Sequence, residues 1–440
     1  MEPISLLNNR RVLLGVTGGI AAYKVCTLAS HLTQAGARVD VVMTEAATRF
    51  VTPLTFQSLT GRPVYTSLWG AMESDAHGGE SALLPTHVVH VGLAEAAELM
   101  VIAPATANTL AKLSHGIADN LLTSLALAAR CPVLVAPAMD GGMWANAATQ
   151  ENVATIRERG VHVVGPAIGR LASGLEGEGR MAEPEEILGH IRRAIGREGP
   201  LAGRKVVVSA GPTRESLDPV RFLSNPSSGR QGFALAQAAL DRGAAVTLVA
   251  GPTELATPAG AERVDVTTAE EMGDAVIAAV EGADALLMAA AVADYRPAEA
   301  APQKLKKTEK ALHLELERTP DILSAVAVRW AGTGFPRVVV GFAAETESLL
   351  DNARRKLAAK NLDLIVANDV TSPDAGFAAE TNRVMLLGRD GEAEELPLRS
   401  KAAVADAVLE RVVRLLAEKP VAAKRRKAAA KKGSAGGGEG

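Results

Sequence analysis

The sequence predicts an α/β protein, with two doubly wound, Rossmann-like parallel-sheet domains in series and a disordered basic C-terminal tail. Three observations carry that expectation. Short apolar runs alternate with stretches of helical period through residues 11–165, as in a parallel sheet wrapped by helices. The alternation pauses at GREGPLAGRK (196–205) and restarts with KVVVSAGPT (205–213). At 440 residues and 48% hydrophobic content the chain can fill two cores of about 200 residues each. The expected division is 1–195, 196–419 and a tail of 420–440.

The first-half strands are expected at RVLLGV (11–16), RVDVVM (38–43), ELMVIA (98–103), PVLVA (132–136) and VHVVG (161–165). IAAYKVCTLASHLTQAG joins the first two as a helix closed by glycine. Residues 67–90, containing HGGE, have no period and are expected to form a lid. The second half gives AVTLVAG (245–251), ADALLMAAA (283–291), RVVVGFA (337–343) and LDLIVAND (362–369). A hairpin, NRVMLLGRDGEAEELPL, and an amphipathic helix at about 400–417 follow.

Composition excludes several classes. Aromatics are 3%, so Ala, Val and Leu must build the cores. No apolar run approaches about 18 residues and MEPISLLNNRR is not a signal peptide. A soluble, cytoplasmic protein with no membrane partner is therefore expected. The two cysteines, Cys26 on a helix and Cys131 ahead of a strand, read as plain thiols rather than a disulfide or zinc site. The tail carries a net charge of +5 within an overall −3, leaving −8 for residues 1–419. An Ala/Lys/Gly tail of this kind is expected to be solvated disorder, and the acidic body offers no groove for nucleic acid.

Chemistry concentrates at the turns. GVTGGIAAYK (15–24) joins a strand to a helix, where Gly18, Gly19 and Ile20 let backbone approach a phosphate at a helix N-terminus. The spacing is not GxGxxG, and Thr44 stands where a dinucleotide site would want its ribose-binding acid. That favours a mononucleotide; glycines that merely turn the chain are the plainer reading. APATANTLAKLSHGIADNLLT (103–123) sets Thr106, Asn108 and Thr109 after a strand, with Asn120 further on. A flat ring could rest on such small side chains.

GGIAAYK, HVGLAEAAELMVIAPATANT, PAM-x-x-x-MW and ASGLEGEGRM occur in one order. Together they resemble the flavin-dependent cysteine decarboxylases, in particular the phosphopantothenoylcysteine decarboxylase half of the bifunctional coenzyme A biosynthesis enzymes. SAGPTRESLDPVRFLSNPSSGRQG, AAAVADYRP, KLKK, PDIL, GFAAET and KNLDLIVANDV resemble the partner activity, phosphopantothenate–cysteine ligase. The resemblance spans roughly residues 8–415. It implies FMN, CTP with Mg²⁺, small-molecule substrates (4′-phosphopantothenate and cysteine), and a homo-oligomer up to a dodecamer.

For the ligase, the resemblance implies that a carboxylate attacks CTP to form an acyl-cytidylate, from which the cysteine amine displaces CMP. Its CTP contacts map onto Asp294, Lys304, Pro320, Asp321, Ile322, Leu323, Phe342, Lys356 and Lys360, with backbone at Met288, Ala289 and Ala290. Lys304, Lys306 and Lys307 form a cationic run, whose extended form would send Lys304 and Lys306 to one side. Lys356 and Lys360 share a helix face, whereas Lys310, Arg354 and Arg355 read as a solvated surface. Asn225 in SNPSSG is implied to hold the acyl-cytidylate, its amide donating to a developing oxyanion; the bland reading is a helix N-cap. No carboxylate pair presents itself as a metal ligand.

For the decarboxylase, the resemblance implies that FMN takes a hydride from the cysteinyl group, CO₂ leaves, and the hydride returns. His90 maps onto the essential histidine; His77 and His87 flank the lid. Two positions depart from the family pattern: Asp140 stands for Asn and Ser173 for Cys. An ionised Asp140 cannot donate to a departing carboxylate. A shared proton, or Arg180 as neighbour, would relieve the conflict, and a protonated Asp140 would make the rate fall above neutral pH. A serine is also a far weaker acid than the thiol it replaces, though acid and serine occurring together would form a matched pair.

Three other readings stand beside this one. A ligase whose FMN-binding half no longer decarboxylates would still carry every ligase motif. A non-catalytic regulatory flavoprotein would have no use for Lys304 and Asn225. An NAD(P) dehydrogenase lacks support from the glycine spacing and from Thr44.

Overall fold

The computed structural model describes residues 2–68, 89–306, 312–345, 349–369 and 381–419. Residues 69–88 of the expected lid, with His77 and His87, and Lys307, Lys310 and residues 420–440 lie outside the described residues. The chain divides into two compact units, Met1–Glu198 and Gly199–Gly440.

The first unit is a six-stranded parallel sheet in the spatial order Val64–Tyr65, Arg38–Met43, Arg11–Val16, Leu99–Ala105, Val133–Pro137, His162–Val163. Arg11–Val16 is buried at every position after the first, as expected of a strand covered on both faces. Helices Ala22–Gln34 and Pro184–Gly196 pack on one face and Leu121–Ala128 on the other. The chain runs outward from Arg11–Val16 in one direction and returns on the other side at Leu99–Ala105. The crevice at the C-terminal ends of these two strands is the topological switch point, where such sheets bind ligands. Thr17 closes its floor: the hydroxyl donates to the Pro104 carbonyl at 2.6 Å and accepts from the Thr106 N–H at 3.2 Å.

One element has no expectation behind it. Ala167–Arg170 and Glu176–Arg180 form an antiparallel hairpin, whose exposed residues alternate with half-buried or, at Gly179, buried ones, with little apolar content. It sits over the 138–144 loop: Met139 N–H donates to Gly179 carbonyl at 2.9 Å. A Cβ on Gly179 would lie 2.4 Å from the Met139 carbonyl oxygen, so only glycine permits this approach.

The second unit has an eight-stranded sheet in the order Glu262–Asp265, Ala245–Ala250, Lys205–Ala210, Ala285–Met288, Val338–Glu345, Leu364–Asp369, Thr381–Gly388, Ala393–Ser400. The first six strands are parallel and the last two add antiparallel, bearing out the expected hairpin. Helices Arg230–Leu240 and Lys401–Glu418 cover one face; Ala269–Ala279 and Ile322–Thr333 cover the other. The order reverses between Lys205–Ala210 and Ala285–Met288, a second switch point. Gly211, at φ 79°, turns the chain immediately after the first of these strands. Cys26 and Cys131 are free, half-buried thiols whose pKa values burial raises, the inert state expected of them.

Candidate active sites

A cavity of about 680 Å³ opens at the first switch point. Gly18, Gly19, Ile20 and Thr106 line it from the strand ends, Met139 and Asp140 from the next loop, and Ser173 and Arg180 from the hairpin. The two glycines differ. A Cβ on Gly18 would fall 2.4 Å from the Ala46 Cβ, whereas one on Gly19 would meet nothing nearer than 3.8 Å. Neither has a positive φ. Gly18 thus serves packing, and Gly19 keeps open space beside the helix that starts at Ala22. That helix has no side-chain cap, and the N–H groups of Gly19, Ile20 and Ala21 have no acceptor among the described residues.

Thr106 caps helix Ala107–His115, accepting from Thr109 N–H at 3.4 Å. Thr109 is buried with its hydroxyl 3.1 Å from that of Thr106. Asn108 is exposed on the same helix, outside the lining. Thr44 also lies outside the lining and caps helix Glu45–Thr48, accepting from Ala47 N–H at 3.3 Å. Asn120 forms a capping box with Thr123.

Asp140 caps the short helix Gly141–Trp144, accepting from Gly142 N–H at 3.1 Å through Oδ1. Its other oxygen accepts from the Ser173 hydroxyl at 2.7 Å. These bonds, Ser173's first, hold the carboxyl below the usual carboxylate range. This direction favours a charged Asp140 over the shared proton that was one of the expected escapes. Arg180 pairs instead with Glu183 at 2.5 Å, which also holds Lys24 at 2.9 Å. Tyr23, Lys24, Met143 and Arg170 line the cavity without having been named as site residues; the first three stood inside quoted motifs and Arg170 did not. The backbone of His90 belongs to helix Val89–Ala96, and its side chain lies outside the described residues.

The second cavity, about 540 Å³, opens at the second switch point. Met288, Ala290 and Asp294 line it from one loop, Pro320 to Leu323 from a helix start, and Phe342 and Lys360 from further along the sheet. Ala289 packs half-buried against the core below. Asp321 caps helix Ile322–Thr333, accepting from Ser324 N–H at 3.1 Å, and also pairs with the Lys360 ammonium. Lys356 is exposed one turn earlier, where Lys360 N–H donates to its carbonyl at 2.9 Å. Arg318 and Thr319 line it without any signal in the sequence, at the end of a short exposed strand, whereas Val292, Ala293 and Tyr295 stood within the quoted AAAVADYRP.

Lys304 is exposed and outside this lining. The Lys304–Lys306 stretch is not a strand, so side-chain alternation does not apply to it. Buried Asp218 anchors it instead, accepting from Leu305 N–H at 3.1 Å and from the Arg221 guanidinium. Asn225 does not cap the following helix, where Gly229 is the cap. Its amide donates to the Val292 carbonyl at 2.9 Å, at the cavity wall. Among the described residues no three His, Cys, Asp or Glu side chains converge as metal ligands, and no helix is long and apolar enough to cross a membrane.

Two doubly wound units, each with a cavity at its switch point, define a two-domain α/β enzyme of flavoprotein type. Residues 2–196 match the Flavoprotein family, and residues 201–416 match the family described as DNA/pantothenate metabolism flavoprotein C-terminal domain. The chain is similar to the coenzyme A biosynthesis bifunctional protein CoaBC of Bacillus subtilis (strain 168), 45% identical over 413 residues, covering 93% of this chain and 98% of that one. It is 46% identical over 420 residues to the protein of the same name from Mycobacterium tuberculosis (strain H37Rv), covering 93% and 97%. A crystal structure of the C-terminal domain of a CoaBC protein is 39% identical, covering 50% of this chain and 99% of that one with a TM-score of 0.42. The chain belongs to the family of bifunctional coenzyme A biosynthesis proteins.

Proposed function

We propose that this chain carries out two consecutive steps of coenzyme A biosynthesis. The second unit joins cysteine to 4′-phosphopantothenate at the expense of CTP, through an acyl-cytidylate. The first unit decarboxylates the resulting 4′-phosphopantothenoylcysteine to 4′-phosphopantetheine with FMN. The observation that carries the reading is the second cavity. Segments 288–294, 320–323, 342 and 360, distant in sequence, converge there, and they are the segments that the family resemblance assigns to CTP.

In the ligase unit, Lys360 supplies positive charge for the triphosphate, together with Lys356 and Lys304. Mg²⁺ escorts the nucleotide, its ligands being chiefly phosphate oxygens. Asn225 spends one amide hydrogen on Val292 and keeps the second for the developing oxyanion of the acyl-cytidylate. Asp294 and Phe342 border the base and sugar.

The residues of the first cavity fit FMN. The unsatisfied N–H groups of Gly19 to Ala21 suit a phosphate, and Ile20, Met139 and Met143 offer apolar faces to a flat ring. Bound there, FMN supplies a two-electron acceptor that returns what it takes, so the net reaction is redox-neutral. The protein's own groups position the substrate and handle its protons. His90 is the general acid–base. Asp140, ionised, repels the substrate carboxylate by roughly 4 kcal/mol at about 4 Å and an effective dielectric near 20. That repulsion vanishes as neutral CO₂ leaves. Ser173 commits its hydroxyl proton to Asp140 and turns lone pairs to the cavity. The resemblance further carries a homo-oligomer up to a dodecamer, which light scattering tests.

The deciding experiment gives the purified full chain 4′-phosphopantothenoylcysteine without CTP. CO₂ and 4′-phosphopantetheine are followed by mass spectrometry alongside flavin absorbance. Multiple turnovers are expected. No CO₂ at any pH, with CMP still formed from CTP, 4′-phosphopantothenate and cysteine, would reduce the protein to a ligase.

A further inference from the structure

We propose that Ser209 and Thr213, two buried hydroxyls outside the cavity lining, position the loop Ala289–Asp294 and thereby set the nucleobase preference of the ligase cavity. The inference rests on the nucleotide reading of that cavity.

The loop reads AAAVAD after Met288, with Asp294 as its last residue. Its side chains before Asp294 are small, so an entering base meets mostly backbone. Most of that backbone is committed away from the cavity. Ala290 N–H donates to Ser209 Oγ at 3.1 Å, and Ala293 N–H donates to Thr213 Oγ1 at 2.9 Å. Ala291 N–H donates to the Gly211 carbonyl at 2.9 Å, and its own carbonyl accepts from Thr213 N–H at 3.3 Å. The carbonyl of Val292 accepts from Asn225, and that of Ala293 accepts from the Thr319 hydroxyl at 2.6 Å. Both Ser209 and Thr213 are fully buried. They stand on and just beyond the strand that forms one wall of the switch point.

Four polar groups of the loop backbone have no partner among the described residues: the N–H groups of Val292 and Asp294 and the carbonyl oxygens of Ala289 and Ala290. An acceptor pair of this kind matches an exocyclic amine, which cytosine carries at C4. It opposes a keto oxygen, which uracil carries at the same position. Two acceptors facing each other at hydrogen-bond distance leave both desolvated without a partner, and sites built on such pairing discriminate strongly. Rotating a peptide of the loop would exchange an N–H for a carbonyl at the cavity face. Ser209 and Thr213 resist that rotation because each fixes the N–H of a loop peptide inward, at positions three residues apart.

The test measures kcat and KM of the full-length protein for CTP and for UTP, with saturating 4′-phosphopantothenate and cysteine. The variants are Ser209→Ala, Thr213→Val, which keeps shape while removing the acceptor, and Thr213→Ser, which restores it. The ratio of kcat/KM for CTP over UTP is expected to fall roughly tenfold or more in the first two variants. The KM for CTP should rise while kcat stays within about threefold, and Thr213→Ser should behave as the wild type. If Ser209→Ala does not fold, the Thr213 pair carries the test alone. An unchanged CTP/UTP ratio in Thr213→Val overturns the positioning role even if the variant is less thermostable. A wild type that forms no product with CTP, or uses CTP and UTP alike, removes the nucleotide reading itself and the inference with it.

Discussion

The Ser173 hydroxyl donates to Asp140 Oδ2 at 2.7 Å, joining a hairpin turn to a helix cap 33 residues away in sequence. The bond links the two positions, Asp140 and Ser173, at which the resemblance led to the expectation of Asn and Cys. It makes them one unit: the acid accepts and the serine donates, and the bond lowers the carboxyl's pKa.

A pH prediction follows, opposite in sense to that of a protonated Asp140. Because the folded-state pKa is depressed, the charged form prevails above the ordinary carboxylate value of roughly 3.9. The contacts to Ser173 and Gly142 stabilise the fold above that value and weaken as pH falls through the folded pKa. Between pH 6 and 9, the decarboxylation rate of the wild type relative to Asp140→Asn should be constant. A ratio that falls with pH through neutrality would show a proton on Asp140.

A matched pair should also be coupled energetically. Asp140→Asn and Ser173→Cys are each expected to lower decarboxylation, while the double variant recovers much of the loss. The interaction energy should reach about 1 kcal/mol or more, as for residues in direct contact. Rates measured for all four proteins give this term, and additive losses would mean the two positions act independently.

Gly18 and Gly19 separate packing from ligand contact. Gly18→Ala forces a Cβ into Ala46 and should destabilise the protein by about 1–3 kcal/mol. Gly19→Ala has room within the protein and should leave the melting temperature of flavin-free protein unchanged. It should weaken flavin binding about tenfold, seen by fluorescence titration, if backbone at Gly19 approaches the ligand closely.

Asp321 and Lys360 compete with the nucleotide for each other. Asp321→Asn retains an N-cap of equal quality while releasing the ammonium, and should lower the KM for CTP. Lys360→Met should raise it about tenfold or more, with a shallower dependence on salt. An increased KM in Asp321→Asn would mean that the carboxylate itself serves the bound nucleotide.

The sequence by itself determined the architecture. Runs such as RVLLGV and AVTLVA coincide with strands Arg11–Val16 and Ala245–Ala250, because strands buried on both faces must be continuously apolar. The glycine turn at 17–21 and the loop after Met288 were legible for the same reason: each follows such a strand at a point where the strand order reverses. Tertiary structure alone decided the rest. The hairpin that carries Ser173 is half-exposed and glycine-rich, so it leaves no period to read. Lys304 looked like a cavity residue, yet Asp218 and Arg221 anchor its segment outside the lining, while Arg318 stands within it. The charge on Asp140 depends on donors at Gly142 and Ser173. An apolar pattern records which residues leave water. Which polar groups then meet across 33 or 81 positions depends on the paths of the connecting loops.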